Sequence, residues 1–229
     1  MKRFYKTVGL QQVGSRYGIA LDGRPVKTPE REMLAMHALP LAEGIAAEWA
    51  RQGDELGDMP LTKLANTAID RVAKDRSAAL KQLDDFAGHD LVCYRSAAPA
   101  ELAAREAAAW DPPLTWARAK YGLDLHTTTG ALSIPQPGYD AAGFVHSLSG
   151  ADPFVLTGLA AAAAILKSTV LALALGDLRI DAASAHAAAH VDETFQAEKW
   201  GWDSEAQKRL AAMLAELDVT NIFQQLAKA

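Results

Sequence analysis

The chain has 229 residues, 50% hydrophobic and 22% charged, which are the proportions of an ordinary globular protein with a sizeable core. Its formal net charge of −5 argues against general nucleic-acid binding, which needs a basic surface to displace counterions. A single cysteine, Cys93, excludes an internal disulfide, and no apolar segment follows the basic first residues as it would in a secretory signal peptide. We therefore expect a cytoplasmic protein.

Strands are predicted within the first forty residues. Residues that favour β-structure cluster at 4–8 and 17–21, and Asp22-Gly23 is a strong tight-turn signal after the second cluster. Another short strand is predicted within residues 33–39. From Pro40 onward the apolar residues recur at helical spacing, so the pattern changes from strand to helix there.

Helices are predicted for most of the remaining chain. Thr62 and Ser77 are N-cap residues for two of them, and Asp111-Pro112-Pro113 is expected to separate two others. Residues 125–134 are β-like. The predicted helical ranges beyond the first helix are 62–72, 77–86, 101–110, 114–121, 139–148, 153–175, 181–199 and 204–217.

These elements predict an α+β fold in two parts. A small β-containing N-terminal domain is expected at residues 1–58, followed by a larger, mainly helical C-terminal domain at residues 59–229.

Residues 154–175 form an apolar run that is nearly long enough to cross a bilayer. Lys167 lies in the middle of the run, however, where a charge is costly in lipid. Asp152-Pro153 supplies a cap and a first-turn proline, and Gly176 supplies a stop. We therefore expect one buried helix with no membrane insertion, and a Lys167 side chain in a crevice or at the surface.

The stretch between Asp181 and Gly201 is predicted to be a single helix with two different faces. Ala188, Val191 and Phe195 share one face, which is suited to a core. The opposite face carries His186, His190 and Glu193. Trp200 and Trp202, which follow, are expected to pin the end of the helix. Function is expected on the polar face.

Motifs for nucleotide binding and for serine catalysis are absent, so no cofactor is expected. One alternative remains open, because His186, His190 and Glu193 are spaced to bind a divalent metal from one helix face. The pattern lacks the general base that follows the first histidine in zinc proteases, and a solvated helix face explains it equally. This alternative is a metal-dependent enzyme of unknown substrate.

Several stretches together resemble one known family, the assembly chaperones of the ATP synthase α subunit, called ATP synthase assembly factor 2 in mitochondria. The resemblance covers nearly the whole chain in the same order. The stretches that carry it are Arg3-Phe4-Tyr5-Lys6, Leu21-Asp22-Gly23-Arg24-Pro25-Val26-Lys27-Thr28-Pro29, Glu48-Trp49, Met59-Pro60-Leu61-Thr62, Asp90-Leu91-Val92-Cys93-Tyr94-Arg95, Trp110-Asp111-Pro112, Lys167-Ser168, Asp192-Glu193-Thr194-Phe195-Gln196 and Trp200-Gly201.

The resemblance implies a non-enzymatic role, in which the protein holds the free α subunit of the catalytic head until that subunit pairs with β. It implies two domains of the kinds described above, and a functionally important acid that maps to Glu193. The short N-terminus suggests a bacterial member, and a monomer is expected. The residues expected to contact the partner are Glu193, Asp192, Gln196 and Glu198 on the acidic helix, with Arg24 and Lys27 beside the tight turn.

Overall fold

The computed structural model describes residues 1–130 and 135–229. Most residues in this part of the chain are helical, and the strands form one four-stranded sheet and one two-stranded pair. The predicted α+β class is therefore confirmed. The chain divides into two compact units: the first unit is Met1–Ala78, Ala151–Gly158 and Ile222–Ala229, and the second is Ala79–Gly150 and Leu159–Asn221. The domain boundary expected between residues 58 and 59 stays a prediction.

The sheet of the first unit is antiparallel and is built around its second strand. That strand, β2, pairs with all three others. The turn after it lies where the sequence predicts, because Asp22 and Gly23 both have the positive φ, 50° and 76°, that such a tight turn requires. The strands are β1 (Val8–Val13), β2 (Arg16–Leu21), β3 (Arg24–Pro25) and β4 (Ala35–Met36).

One face of this sheet packs on helix α1 (Leu39–Ala50), where Ile19, Leu41 and Ile45 are fully buried. Glu48 of α1 is also buried and accepts hydrogen bonds from the first turn of helix α2 (Pro60–Thr67). The donors are the backbone N–H groups of Leu61 and Thr62, each at 2.8 Å, and the Thr62 hydroxyl at 2.6 Å. Thr62 therefore anchors α2 to α1 and does not cap it, since the helix begins two residues earlier.

The other helices follow in chain order, with a π-helical stretch Ala68–Val72 after α2, a short 3₁₀ turn Leu91–Cys93, and the parallel pair β5 (Tyr94–Arg95) and β6 (Thr128–Thr129). Part of the β-like range 125–134 thus forms a strand, while residues 131–134 lie outside the described residues. The helices are α3 (Ser77–Gly88), α4 (Ala100–Tyr121), α5 (Ala141–Leu148), α6 (Pro153–Leu166), α7 (Thr169–Gly176), α8 (Ala182–Ala189), α9 (Val191–Trp200) and α10 (Ser204–Lys228).

Helix α4 is continuous, so the predicted break at Asp111-Pro112-Pro113 is wrong. Trp110 is almost completely buried, and its indole N–H donates to the backbone carbonyl of Ala188 at 2.7 Å. Pro113 and Ala117 are buried on the same helix. These tertiary contacts offset the roughly 3 kcal/mol that a proline costs inside a helix.

The apolar run 154–175 is two helices where one was predicted. Lys167 has a positive φ of 54° and an exposed side chain, and it separates α6 from α7. Ser168 then caps α7 by accepting a hydrogen bond from the backbone N–H of Leu171 at 3.0 Å. The buried carboxylate of Asp90 accepts a second from Val170 at 2.9 Å. Among the described residues, no helix has the length and hydropathy to cross a membrane.

The predicted helix from Asp181 to Gly201 is also interrupted. Asp181 caps α8 as predicted, accepting a hydrogen bond from the backbone N–H of Ser184 at 2.7 Å. At His190 the backbone leaves the helical range, with φ −124° and ψ 27°, and α9 begins at the next residue. The last helix, α10, continues eleven residues beyond the predicted end at Leu217 and buries Phe223 near its C-terminus.

Candidate partner-binding site

Helix α9 carries the predicted acidic site and is fixed by one buried ring. Phe195 is 4% exposed and lies in a part of α9 that packs on α4. The guanidinium of Arg105 and the ammonium of Lys199 each lie 5.2 Å from the centre of its ring. Cations at this distance are attracted to the face of an aromatic ring. The packing therefore sets which residues of α9 face outward.

Ion pairs surround that ring at the surface. Arg105 donates to Glu198 at 2.7 Å and to Glu101 at 3.0 Å, and Lys199 donates to Glu101 at 3.0 Å. The Lys199 and Arg105 side chains lower the pKa of Glu101. Exposed pairs of this kind contribute only about 0–1 kcal/mol each. Their main effect is to hold Glu198, one of the predicted contact residues, in a defined place.

Glu193, the acid implied by the family resemblance, lies on the outer side of α9. Its carboxylate accepts a hydrogen bond from the guanidinium of Arg209 on α10, and about a third of its side chain is exposed. Gln196, one turn further along, is exposed. These two residues and Glu198 are therefore accessible polar residues of α9, with Gln196 and Glu198 on different sides of the helix.

Asp192 behaves differently from its neighbour, because it faces the carboxyl of Glu106 on α4. Burial and that neighbouring carboxyl raise the pKa of Asp192 to about 6. Glu106 is fully buried and accepts hydrogen bonds from the backbone N–H of Ser96 at 2.7 Å and from its hydroxyl at 2.5 Å. Asp192 is only partly accessible, and its Oδ1 has no hydrogen-bond partner among the described residues.

The two histidines line an apolar groove of about 350 Å³ between α8, α9 and α10. Their rings stack with centroids 4.3 Å apart, and Nδ1 of His190 lies 2.8 Å from the backbone carbonyl oxygen of His186. Burial and the charge of His190 lower the pKa of His186. Trp202 forms part of the groove wall and is 44% exposed.

The predicted metal triad is not brought together. Glu193 is engaged by Arg209, and among the described residues no group of three or more His, Cys, Asp or Glu side chains is arranged to hold a metal ion. The expectation that a tryptophan pins the helix end is wrong for Trp200, which is 79% exposed.

A second groove, of about 580 Å³, lies within the first unit. Arg24 and Lys27 are exposed there beside Phe4, whose side chain is 64% exposed. Among the described residues neither cation forms an ion pair. The nearby carboxylate of Asp22 is already engaged by the backbone N–H and hydroxyl of Thr7, at 2.8 and 2.9 Å. The groove is lined by Phe4, Tyr5, Leu21, Asp22, Arg24, Pro25, Val26, Lys27 and Trp49.

The structure thus places the predicted contact residues in two groups, one in each unit. Four acidic or polar residues share α9, and two basic residues share the groove of the first unit. The sequence analysis named Phe4 and Trp202 without placing either in a groove, and it did not single out Glu106. Phe4 gave a usable signal, since it stands between Arg3 and Lys6 near a chain end, whereas Glu106 gave none.

Comparison with known proteins gives a consistent result. The family model of the ATP12 chaperone protein matches residues 2–118. The chain is 36% identical to Atp12 from Paracoccus denitrificans, with a TM-score of 0.91 over 99% of this chain and 98% of that one. An aspartate-to-lysine variant of Atp12p from P. denitrificans gives 35% identity and a TM-score of 0.92, over 99% of this chain and 97% of that one. A protein from Agrobacterium tumefaciens is 34% identical, with a TM-score of 0.91 over 100% of this chain and 86% of that one.

Both the family model and these solved structures agree with the resemblance seen in the sequence motifs. The family is one of chaperones that take part in assembly of the F1 ATP synthase. The chain belongs to the ATP12 chaperone family.

Proposed function

We propose that this protein is a cytoplasmic assembly chaperone that binds the free α subunit of the ATP synthase catalytic head. It shields the surface of α that β later covers, and it acts without a cofactor, without catalysis and as a monomer. Membership of the ATP12 family supports the assembly role. The identity of the client as the α subunit is the further step that the proposal takes.

The observation that carries the proposal is the clustering of family-like motifs at one concave surface. Phe4-Tyr5, Leu21–Lys27 and Trp49 come from three separate stretches of the sequence, and all three line the groove of the first unit. An exposed phenylalanine beside two cations without ion pairs is suited to contact an apolar surface with an acidic rim.

The exposed part of α9 is proposed as a second contact, and its acids Glu193 and Glu198 are each paired with an arginine. Glu193, Gln196 and Glu198 are accessible on this helix, and Trp200 exposes a large apolar ring at its end. Exposed charges at the rim of an interface set orientation and rate of association more than affinity. Asp192, at the start of α9, is only partly accessible and therefore offers less contact to a partner than these three residues.

These features fit what a client of this kind needs. A free subunit exposes apolar surface that is later buried by its neighbour, and such surface promotes aggregation. A chaperone has to cover this surface reversibly, which favours a polar-rimmed contact of moderate size over an obligate interface.

The proposal is tested by producing the α subunit alone with the tagged chaperone and measuring how much α stays soluble and co-purifies. We expect Glu193→Lys to reduce the recovered α at least fivefold, and Arg24→Glu with Lys27→Glu to reduce it further. Matched controls are Glu216→Lys on the exposed side of α10 and Arg51→Glu at the end of α1. Glu216→Lys makes the same charge change as Glu193→Lys, and Arg51→Glu reverses one charge where the double variant reverses two; both controls lie outside the proposed surfaces.

The result has three informative outcomes. Addition of β subunit should release α from the wild-type complex. Equal recovery with the site variants and their controls would retain the client but contradict the two proposed surfaces. Failure of the wild type to retain α would contradict the proposed function itself.

A further inference from the structure

Strand β1 forms one edge of the sheet in the first unit, and its register defines which backbone groups face away from β2. The N–H of Asp22 donates to the carbonyl of Thr7 at 3.0 Å, so these residues form a hydrogen-bonded antiparallel pair. Such pairs alternate along a ladder. The next ones are therefore Gly9 with Ala20 and Gln11 with Gly18.

The intervening residues Val8, Leu10 and Gln12 direct their N–H and C=O groups to the open side of β1. The other side of β2 agrees with this assignment, because Ile19, which faces Leu10, directs its own N–H to the carbonyl of Leu34 at 3.2 Å. Among the described residues, the backbone N–H groups of Val8, Leu10 and Gln12 have no backbone partner. Leu10 is 37% exposed, and Gln12 is also exposed.

This edge lacks the features by which proteins usually block strand addition. Edge strands are commonly protected by charged residues, by proline or by short length. β1 has six residues, Val-Gly-Leu-Gln-Gln-Val, with no charge and no proline. The short strand β3 on the other side of β2 consists of two residues, one of which is Pro25. The two strands therefore differ sharply in their ability to accept another strand.

We propose that the open edge of β1 binds an extended segment of the client by β-strand addition. The proposal rests on the proposed function, because the occupant is a segment of the free ATP synthase α subunit. Three outward-facing residues can exchange up to about six backbone hydrogen bonds with such a segment. A neutral strand with exposed Leu10 favours an uncharged, alternating apolar sequence in the client.

A second copy of this chain is the less suitable occupant. β1 is about 20 Å long, and pairing two such edges would cover much less than the roughly 1,200 Å² of a stable interface. In a client complex the same short edge adds to the contacts of the groove in the same unit, so it does not have to supply the affinity alone.

Hydrogen exchange at single-residue resolution tests the proposal in the unmodified protein. In the free chaperone the amides of Val8, Leu10 and Gln12 should exchange at least tenfold faster than those of Gly9 and Gln11. In the purified complex with α, the three outward amides should slow at least tenfold. Unchanged exchange of these three amides in the complex would overturn the proposal.

A matched pair of substitutions at Leu10 provides the second test. Leu10→Ala and Leu10→Pro both remove the isobutyl group of the leucine, but only the proline variant also lacks the outward backbone N–H. Neither change removes a hydrogen bond to β2. We expect the proline variant to retain at least tenfold less α than the alanine variant, at a similar melting temperature.

Equal retention by the two variants would overturn the proposal while leaving the client assignment intact. If the wild type retains no α, the proposed function fails and this proposal fails with it. Sedimentation of the chaperone alone distinguishes self-pairing: a dimer that Leu10→Pro abolishes and Leu10→Ala keeps would assign the edge to a second copy and overturn the client assignment. If the proline variant does not fold, the exchange measurement on the wild type decides.

Discussion

Two acids, Glu48 on α1 and Asp192 on α9, each place a carboxylate at the start of a helix, but in opposite surroundings. Glu48, 5% exposed, receives three hydrogen bonds from the first turn of α2. Asp192 lies in the first turn of α9, but it faces the buried carboxyl of Glu106, and its Oδ1 has no partner among the described residues. The helix terminus favours a negative charge in both places. The difference therefore comes from the immediate neighbours of each carboxylate.

This comparison separates an acid that stabilises the fold from one that is kept at an energetic cost. A buried carboxylate that accepts N–H and O–H donors replaces the water it loses. A carboxylate beside another carboxylate repels it and takes up a proton more readily. Asp192 belongs to the motif that carries the family resemblance, whereas its position gives it little direct access to a partner.

The largest expected effect is the loss of Glu48. Glu48→Ala leaves three buried donors at the start of α2 without an acceptor, so we expect a loss of about 3 kcal/mol in the free energy of unfolding. Urea unfolding measures it. Glu48→Gln keeps an acceptor in place and should lose clearly less. A loss below about 1 kcal/mol for the alanine variant would show that α2 is anchored by other contacts.

The second effect is a fall in stability as the pH rises from about 4.5 to 7. Burial raises the pKa of Asp90 to about 6, and burial with Glu106 raises that of Asp192 to about 6. The folded state therefore binds more protons than the unfolded state in this range, and stability decreases with pH. We expect a decrease of about 1–2 kcal/mol in total, reduced from the full linkage value by solvent near Asp192.

Acids with a lowered pKa act in the opposite sense and in a different range. Asp22 and Glu101 have pKa values below their usual ones because hydrogen bonds favour their charged forms. Their contribution is present above the unfolded pKa and is lost as the pH falls below about 4.5. Urea unfolding at pH 4.5, 5.5 and 7 therefore isolates the raised groups. A stability that increases through this interval would contradict their assignment.

The third expected effect is a gain in stability. Asp192→Asn removes the charge beside Glu106 and offers an amide donor to its carboxylate, so we expect an increase of about 1 kcal/mol at pH 7. Near pH 4.5, where Asp192 is largely protonated, the gain should disappear. Asp218→Asn, on an exposed part of α10, is the matched control and should change little at either pH.

The smallest effect on stability is expected at the neighbouring acid. Glu193→Lys breaks the partly exposed pair with Arg209 and places a second cation beside that guanidinium. Exposed ion pairs contribute about 0–1 kcal/mol, and exposed like-charge pairs cost a similarly small amount. We expect a loss below about 0.5 kcal/mol by urea unfolding, with the loss of client binding described above. A large loss would show that Glu193 supports the fold, and the binding result for that variant would then lose its meaning.

The sequence predicts β2, the turn after it and β4 well, because the signals there are local. The prediction of the first strand at residues 4–8 is wrong, since β1 runs from Val8 to Val13. Asp22-Gly23 adopts the positive φ values that its composition favours. The breaks in helices are predicted poorly because distant contacts decide them. Pro112 does not end α4, since the buried Trp110 and its hydrogen bond to Ala188 hold the helix together.

The interruption between α6 and α7 at Lys167 also depends on a distant contact. Ser168 is a suitable N-cap residue, but within an apolar run this signal is weak. The carboxylate of Asp90, far away in the sequence, accepts a hydrogen bond from the backbone N–H of Val170. This contact fixes the start of α7.

The candidate site was predicted in part. Helical phase correctly separates Phe195 from Glu193, because a single helix turn fixes both. It does not reveal that Asp192 meets Glu106, 86 residues earlier in the chain. Nor does it reveal that Phe4 and Lys27 line one groove. Contacts between separate segments depend on tertiary packing, which a periodic pattern does not encode.

The buried Cys93 gives the second unit an intrinsic chemical probe. Its thiol is fully buried, and burial together with the charge of Asp90 raises its pKa to about 12. Thiol reagents attack the thiolate form, so the folded protein should react very slowly. Because the chain contains no other cysteine, each modified molecule records one opening of the segment around residue 93. The rate of labelling then reports the opening of this part of the chaperone, with and without a client, and no introduced label is needed.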